Sequence, residues 1–133
     1  MKAIVVDDDV TSRLVLDDAL SRFGKVDSCG DGIEAIRMCR EALGHGAPYD
    51  VICMDLHMPG MSGLQALQSI REEEEGCGAL VRAKVIVITS SEDSRTIDEA
   101  FAHLCDAYIV KPIDTQAFLD VLECLRPVEG RVD

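Results

Sequence analysis

Apolar positions along the chain fall into two patterns that alternate from one end to the other. Four short runs are apolar at consecutive positions: AIVV at 3–6, VICM at 51–54, VIVI at 85–88 and YIV at 108–110. Unbroken apolarity rich in β-branched residues is what a parallel strand covered on both faces requires. A fifth, weaker run, KVDSC at 25–29, alternates apolar with polar and suits an edge strand. Between the runs the period changes to that of a helix. Leu16, Ala19, Leu20 and Phe23 are spaced i, i+3, i+4, i+7, as are Ile97, Ala100, Phe101 and Leu104, and again Phe118, Val121, Leu122 and Leu125. Asp31 and Glu34 have capping-box spacing and open a helix expected to stop near Gly44. A less regular helix follows Ser62 through Leu64, Leu67 and Ile70 and is expected to fray into EEEEGCG, while Asp114 is placed to cap the last helix.

The resulting (βα)5 alternation predicts an α/β fold: a parallel five-stranded sheet, doubly wound, with right-handed crossovers and helices on both faces. The flavodoxin-like order 2-1-3-4-5 puts the weak second strand at an edge and the strongly apolar first and third strands at the centre. Its topological switch point lies beyond the carboxyl ends of those two strands, where such folds bind ligands. No repeat or low-complexity linker interrupts the chain. Residues 1–126 read as one domain and 127–133 as a short polar tail, with no output domain expected.

Composition narrows the partners. A formal net charge of −12 over 133 residues, with the basic residues dispersed, argues against a nucleic-acid surface and for a basic partner or a bound cation. The EEEE run at 72–75 reads as a solvated helix face, with a docking patch the alternative. The apolar segment after Met1 and Lys2 is far short of the roughly 20 residues of a membrane span, so no membrane insertion and a cytoplasmic location are expected. Six cysteines lack CxxC or Cys/His ligand spacing and read as reduced thiols, mostly core filler, with Cys77 the exposed one.

The predicted fold brings the polar ends of the central strands to one rim: Asp7, Asp8 and Asp9 from the first, Asp55 from the third, Thr89 from the fourth, and Lys111 before Pro112 from the fifth. Asp9 is open to a second reading as a helix cap. Two carboxylates about 4 Å apart repel by roughly 4 kcal/mol at an effective dielectric near 20, so a cation belongs among them. A hard divalent ion with oxygen ligands, Mg²⁺ above all, suits a site that must also admit a phosphate. Carboxylates, a hydroxyl and an ammonium together suit phosphoryl transfer, with Asp55 the candidate nucleophile and acceptor.

On the stretches IVVDDD, VICMDLHMPGMSG, VIVITSS and AYIVKP, the chain resembles the receiver domains of two-component response regulators, especially the single-domain, chemotaxis-type members. The resemblance implies that Asp55 is the phosphoacceptor, and that Mg²⁺, with Mn²⁺ an alternative, is held by Asp8, Asp55 and the backbone carbonyl of His57, and by Asp7 through water. It implies Thr89 as the switch hydroxyl, Lys111 as the ammonium that pairs with the phosphoryl group, and Tyr108 as the aromatic that turns inward on activation. A cis peptide before Pro112 is also implied. The implied partners are a sensor histidine kinase or a histidine phosphotransfer protein, and a downstream protein target reached through the face of the fourth predicted helix, the fifth strand and the last helix.

His57, two residues after the acceptor, stands where this family tunes how water reaches the acyl phosphate, and so bears on its lifetime. The spacer REEEEGCGALVRAK is longer than is usual in the family. A relay shuttle that passes the group to a phosphotransfer histidine is the alternative within the family, and a phosphorylation-independent binding module the alternative outside it. A haloacid-dehalogenase-type phosphatase would need an acid where His57 stands. A flavodoxin would need a phosphate cradle where DDDVTS would repel one.

Overall fold

The structure, a computed structural model, describes residues 1–90, 98 and 104–125. Its strands are β1 (Lys2–Val6), β2 (Lys25–Cys29), β3 (Val51–Asp55), β4 (Lys84–Thr89) and β5 (Ala107–Val110). The described helices are α1 (Val10–Ser21), α2 (Gly32–Gly44), α3 (Gly63–Gly76) and α4 (Thr115–Leu125). All strand pairs are parallel, in the order β2-β1-β3-β4-β5 that the apolar pattern predicts. The helix expected over 97–104 falls largely outside the described residues, as does the tail at 127–133.

The unbroken apolarity of the central strands has a direct cause in the packing. Ile4, Val6, Ile52, Met54, Val85 and Val87 point to one side, against Ala35 of α2 and Ala66, Leu67 and Ile70 of α3. Their neighbours Ala3, Val5, Val51, Cys53, Ile86 and Ile88 point to the other, against Leu16 and Leu20 of α1 and Phe118 and Leu122 of α4. Burying one such large side chain stabilises the fold by about 1.5–3 kcal/mol, so each face contributes a substantial core. Both faces are covered, and no position on these strands is left for a polar residue until the strand ends.

Caps set where the helices begin. The Asp31 carboxylate accepts from the Glu34 N–H at 2.8 Å, as its spacing predicts, but the Glu34 carboxylate turns to Arg37 instead of closing the box. The reciprocal capping box belongs to α3, where the Gln65 N–H donates to Ser62 Oγ and the Ser62 N–H to Gln65 Oε1. Asp114 caps α4, accepting from the Ala117 N–H at 2.9 Å. Cys29, Cys39 and Cys53 are buried, Cys105 is half-buried, and Cys124 is exposed alongside the expected Cys77.

The acidic run at 72–75 differs from its expected role as a solvated face. Helix α3 continues unbroken to Gly76, and its turn buries Glu74 while leaving Glu72 and Glu75 in solvent. Glu73 pairs with Arg40 of α2. Arg71, also buried, donates to Glu74 Oε1 at 2.8 Å, to the Ala83 carbonyl at 2.9 Å, and through Nε and Nη2 to the Leu104 carbonyl at 3.2 and 2.9 Å. Glu74 Oε2 accepts from the Ala83 N–H, and Asp106, 3.8 Å from the guanidinium, accepts from the Val85 N–H. One polar cluster thus ties the end of α3 to the starts of β4 and β5.

Removing one partner of a buried pair strands the other charge, at a cost of about 3–5 kcal/mol. Arg71→Met is therefore expected to lower the unfolding free energy by about 3 kcal/mol in urea titrations. Adding Glu74→Gln, which drops the charge but can still accept from the Ala83 N–H, should recover part of that loss.

Candidate functional site

The carboxyl-end rim of the sheet carries the chemistry because parallel pairing aligns the strand ends. Val6 pairs with Met54, so Asp7 and Asp55 leave neighbouring strands at almost the same height. Asp55 lies opposite Ile88, which brings Thr89 to the other side of Asp55, and the Lys111 N–H donates to the Thr89 carbonyl at 2.7 Å. Asp7, Asp55 and Thr89 are 0, 2 and 1% exposed, whereas Asp8 and His57 are open to solvent. The peptide joining Lys111 to Pro112 is cis.

Lys111 reaches across the rim. Its ammonium lies 3.1 and 3.2 Å from the two Asp7 oxygens and 3.5 Å from Asp55 Oδ2. Burial disfavours its charge, but the hydrogen bond to Asp7 and the charges of Asp55 and Asp7 outweigh that and hold it above its ordinary range. Asp55 moves the opposite way to an ordinary carboxylate. Burial pushes it up to about 7 and the Asp7 carboxylate adds to the rise, while the His57 N–H, donating to Oδ1 at 3.0 Å, and Lys111 pull against it.

Asp9 resolves as the N-cap of α1. Its carboxylate accepts from the Thr11 N–H at 3.1 Å and from Ser12 Oγ at 2.9 Å, and chiefly the Ser12 contact holds it below the usual carboxylate range. Its own N–H donates to Asp7 Oδ1 at 2.9 Å, so it shapes the acidic turn without entering the cluster. The other three carboxylates do cluster: Asp7, Asp8 and Asp55 each offer an oxygen within 4.8 Å of the others. Among the described residues Asp7 Oδ2 is buried without a hydrogen-bond partner, its approach to Lys111 being an ion contact outside hydrogen-bond geometry. Three hard oxygen donors around an orphaned lone pair, with the Lys111 ammonium offsetting one of three carboxylate charges and leaving two, fit a divalent cation such as Mg²⁺.

Tyr108 sits on β5 opposite Val87 and is 43% exposed, on the strand that leads into Lys111 and not in the rim itself. Two contributors were not found from the sequence pattern. A Cβ at Gly63 would fall 2.1 Å from the Asp55 carbonyl oxygen, so only glycine lets α3 start against the acceptor's own backbone. Its place directly after the Ser62 cap is the one trace of this in the sequence. Arg13, one turn into α1, donates through Nη1 to the Asp7 carbonyl at 3.3 Å.

With this geometry in view, the comparisons with known proteins agree with one another. Residues 3–123 match the family model of the response regulator receiver domain. The chain is 28% identical to a probable chemotaxis protein CheY of Rhizobium etli, over 94% of this chain and 92% of that protein. It is 30% identical to the chemotaxis protein CheY-3 of Vibrio cholerae, over 92 and 89%. A probable histidine kinase 2 of rice is also 30% identical over 92% of the chain, which spans only 12% of that protein's length. Among solved structures, the receiver domain of the histidine kinase CKI1 from Arabidopsis thaliana, complexed with Mg²⁺, superposes with a TM-score of 0.79 at 30% identity, covering 94% of this chain and 91% of that one. Fold, rim and family match therefore converge, and the chain belongs to the response regulator receiver domains that carry phosphorylation-based signalling in two-component systems.

Proposed function

We propose that the protein is a switch set by phosphorylation of Asp55. The observation that carries this reading is the position of Asp55. It is buried on the central strand, between the acidic pair of β1 on one side and Thr89 and Lys111 on the other. A carboxylate oxygen of Asp55 attacks the phosphorus of a phosphohistidine on a sensor histidine kinase or a histidine phosphotransfer protein. The new O–P bond forms as the P–N bond breaks, and the imidazole leaves with the electron pair and takes up a proton. Asp7, Asp8, Asp55 and the His57 carbonyl would hold Mg²⁺ or Mn²⁺, which supplies compensation for the phosphoryl oxygens' charge. Lys111 supplies a second positive charge and Thr89 a hydroxyl donor. Val10, Leu14 and Ile33, 57, 63 and 69% exposed at the starts of α1 and α2, offer a donor protein apolar contact beside the rim.

Thr89 moving to the phosphoryl oxygens draws on β4 and β5, and Tyr108 passes the change to a downstream protein. His57, exposed two residues after the acceptor, governs the approach of water and hence how long the signal lasts. Among the described residues no helix is long and apolar enough to cross a membrane, which agrees with action in the cytoplasm. A relay role, with the group passed on to a second histidine, is the second reading: identity to the rice histidine kinase equals that to the chemotaxis protein CheY-3, at 30%, and so favours neither role.

Intact-mass spectrometry after incubation with phosphoramidate tests the reading. A gain of one phosphoryl group that requires Mg²⁺ and is absent in Asp55→Asn is expected. A gain unaffected by that substitution would overturn it. A shuttle would in addition surrender the group to a phosphotransfer protein of the same cell.

The acceptor's raised pKa generates a second expectation. The folded state holds the Asp55 proton up to about pH 7, whereas the unfolded chain releases it near 3.8. Between those values the folded state binds more protons, so rising pH withdraws stability, and the loss is complete above pH 7. In EDTA, Asp55→Asn should therefore be more stable than wild type by on the order of 4 kcal/mol at pH 8, and about equal to it at pH 4. Thermal unfolding across that range measures the difference.

A further inference from the structure

The acidic turn after β1 is anchored on its backbone as well as through its side chains. The Asp7 N–H donates to the Cys29 carbonyl at 3.1 Å, tying the turn to the end of β2. Its carbonyl, which lies past the sheet ladder, accepts from Arg13 Nη1 at 3.3 Å. The guanidinium reaches that carbonyl beside Gly30. A Cβ built on Gly30 would lie 2.9 Å from Nη1 and 4.0 Å from the Asp7 oxygen, and Gly30 has no positive φ that would itself demand glycine. The missing side chain therefore serves the passage of Arg13.

We propose that Arg13 is a positioning residue for the cation site, and that Gly30 is the gap that admits it. By holding the Asp7 carbonyl, Arg13 fixes the turn that aims the Asp7 and Asp8 carboxylates at the point they share with Asp55. This rests on the reading of that cluster as the Mg²⁺ site. Arg13 touches none of the three carboxylates and acts through the backbone that carries them.

Two effects of Arg13 on a cation have opposite signs. Its hydrogen bond orients the ligands and favours binding, while its positive charge, shared with Asp17 one turn along α1, opposes it. Arg13→Ala removes both effects together and cannot separate them. Gly30→Ala keeps the charge and breaks the contact, because the added methyl displaces the far end of a flexible side chain and no backbone. Arg13→Lys likewise keeps the charge and loses the planar fork.

The experiment is calorimetric titration of Mg²⁺ alone into the full chain, with melting in EDTA as the control for folding. Groups that orient metal ligands are worth about 10–100-fold in affinity, and a single 3.3 Å bond to a backbone carbonyl belongs at the lower end. Gly30→Ala and Arg13→Lys are each expected to weaken Mg²⁺ about tenfold with little change in EDTA melting temperature. In the Arg13→Ala background, Gly30→Ala should have no further effect, since nothing remains to displace. Wild-type affinity in both charge-keeping variants would overturn the proposal, as would a Gly30→Ala loss that persists without Arg13. A wild type that binds no Mg²⁺ would instead sink the reading of the cluster on which the proposal stands.

Discussion

Like charges crowded at a buried sheet edge repel, and here the sheet itself prevents them from parting. Asp7 and Asp55 extend neighbouring hydrogen-bonded strands, so strand spacing, about 4.8 Å, sets how far apart their backbones can be. Asp8 adds a third carboxylate within 4.8 Å of both. Lys111 supplies one positive charge against three negative ones. Burial, with the Asp7 charge adding to it, then holds the Asp55 proton to about pH 7. The suitability of the cluster for a divalent ion follows from this deficit.

Lys111 can offset the acids only if β5 is fixed relative to β3, and those strands are separated by β4. The contacts that fix it lie at the opposite end of the sheet. Arg71 grips the Leu104 carbonyl ahead of β5, and Asp106 binds the first N–H after Lys84 in β4. From there β5 runs in register with β4, Tyr108 beside Val87 and Val110 beside Thr89, and delivers Lys111 to the rim. A buried ion cluster is weak evidence for added stability, since apolar residues of similar volume often do as well. Its contribution here is alignment, because it joins three elements through backbone carbonyls and N–H groups that an apolar core cannot satisfy.

The fold was legible because it depends on patterns that local sequence carries. Runs such as VICM and VIVI are apolar at every position since both faces of their strands are covered, and helical spacings such as Phe118 with Leu122 mark the layers that cover them. The placement of the candidate residues was legible in the same way: in this topology a polar residue ending an apolar run is a polar residue on the rim, as Asp55, Thr89 and Lys111 are. What escaped was set by the three-dimensional placement of side chains, near and far in sequence. Glu74 looked like one of four solvated acids, and only the phase of α3 against Arg71 and Ala83 separates it from Glu72 and Glu75. Arg13 and Gly30 are unremarkable apart and meaningful together, a relation that no one-dimensional period encodes. Asp9, read equally as cap or ligand, needed the positions of Thr11 and Ser12 to be assigned.

The asymmetry of the rim also decides which part of the molecule can respond to the proposed phosphorylation. A phosphoryl group adds roughly 1.5 to 2 negative charges and three acceptor oxygens to a position already short of positive charge. On the β1 side stand Asp7 and Asp8, which can meet it only through a shared cation and otherwise repel it. On the β4 and β5 side stand a hydroxyl and an ammonium, both able to donate. The favourable displacement therefore runs toward Asp55 from Thr89 and Lys111, and the strands behind them carry the strain of it. Tyr108 lies on β5, three residues before Lys111 and opposite a residue two before Thr89, and it is exposed. Under the proposed phosphorylation, a change in charge at the buried Asp55 would reach the surface through Tyr108, which lies on β5 beside β4.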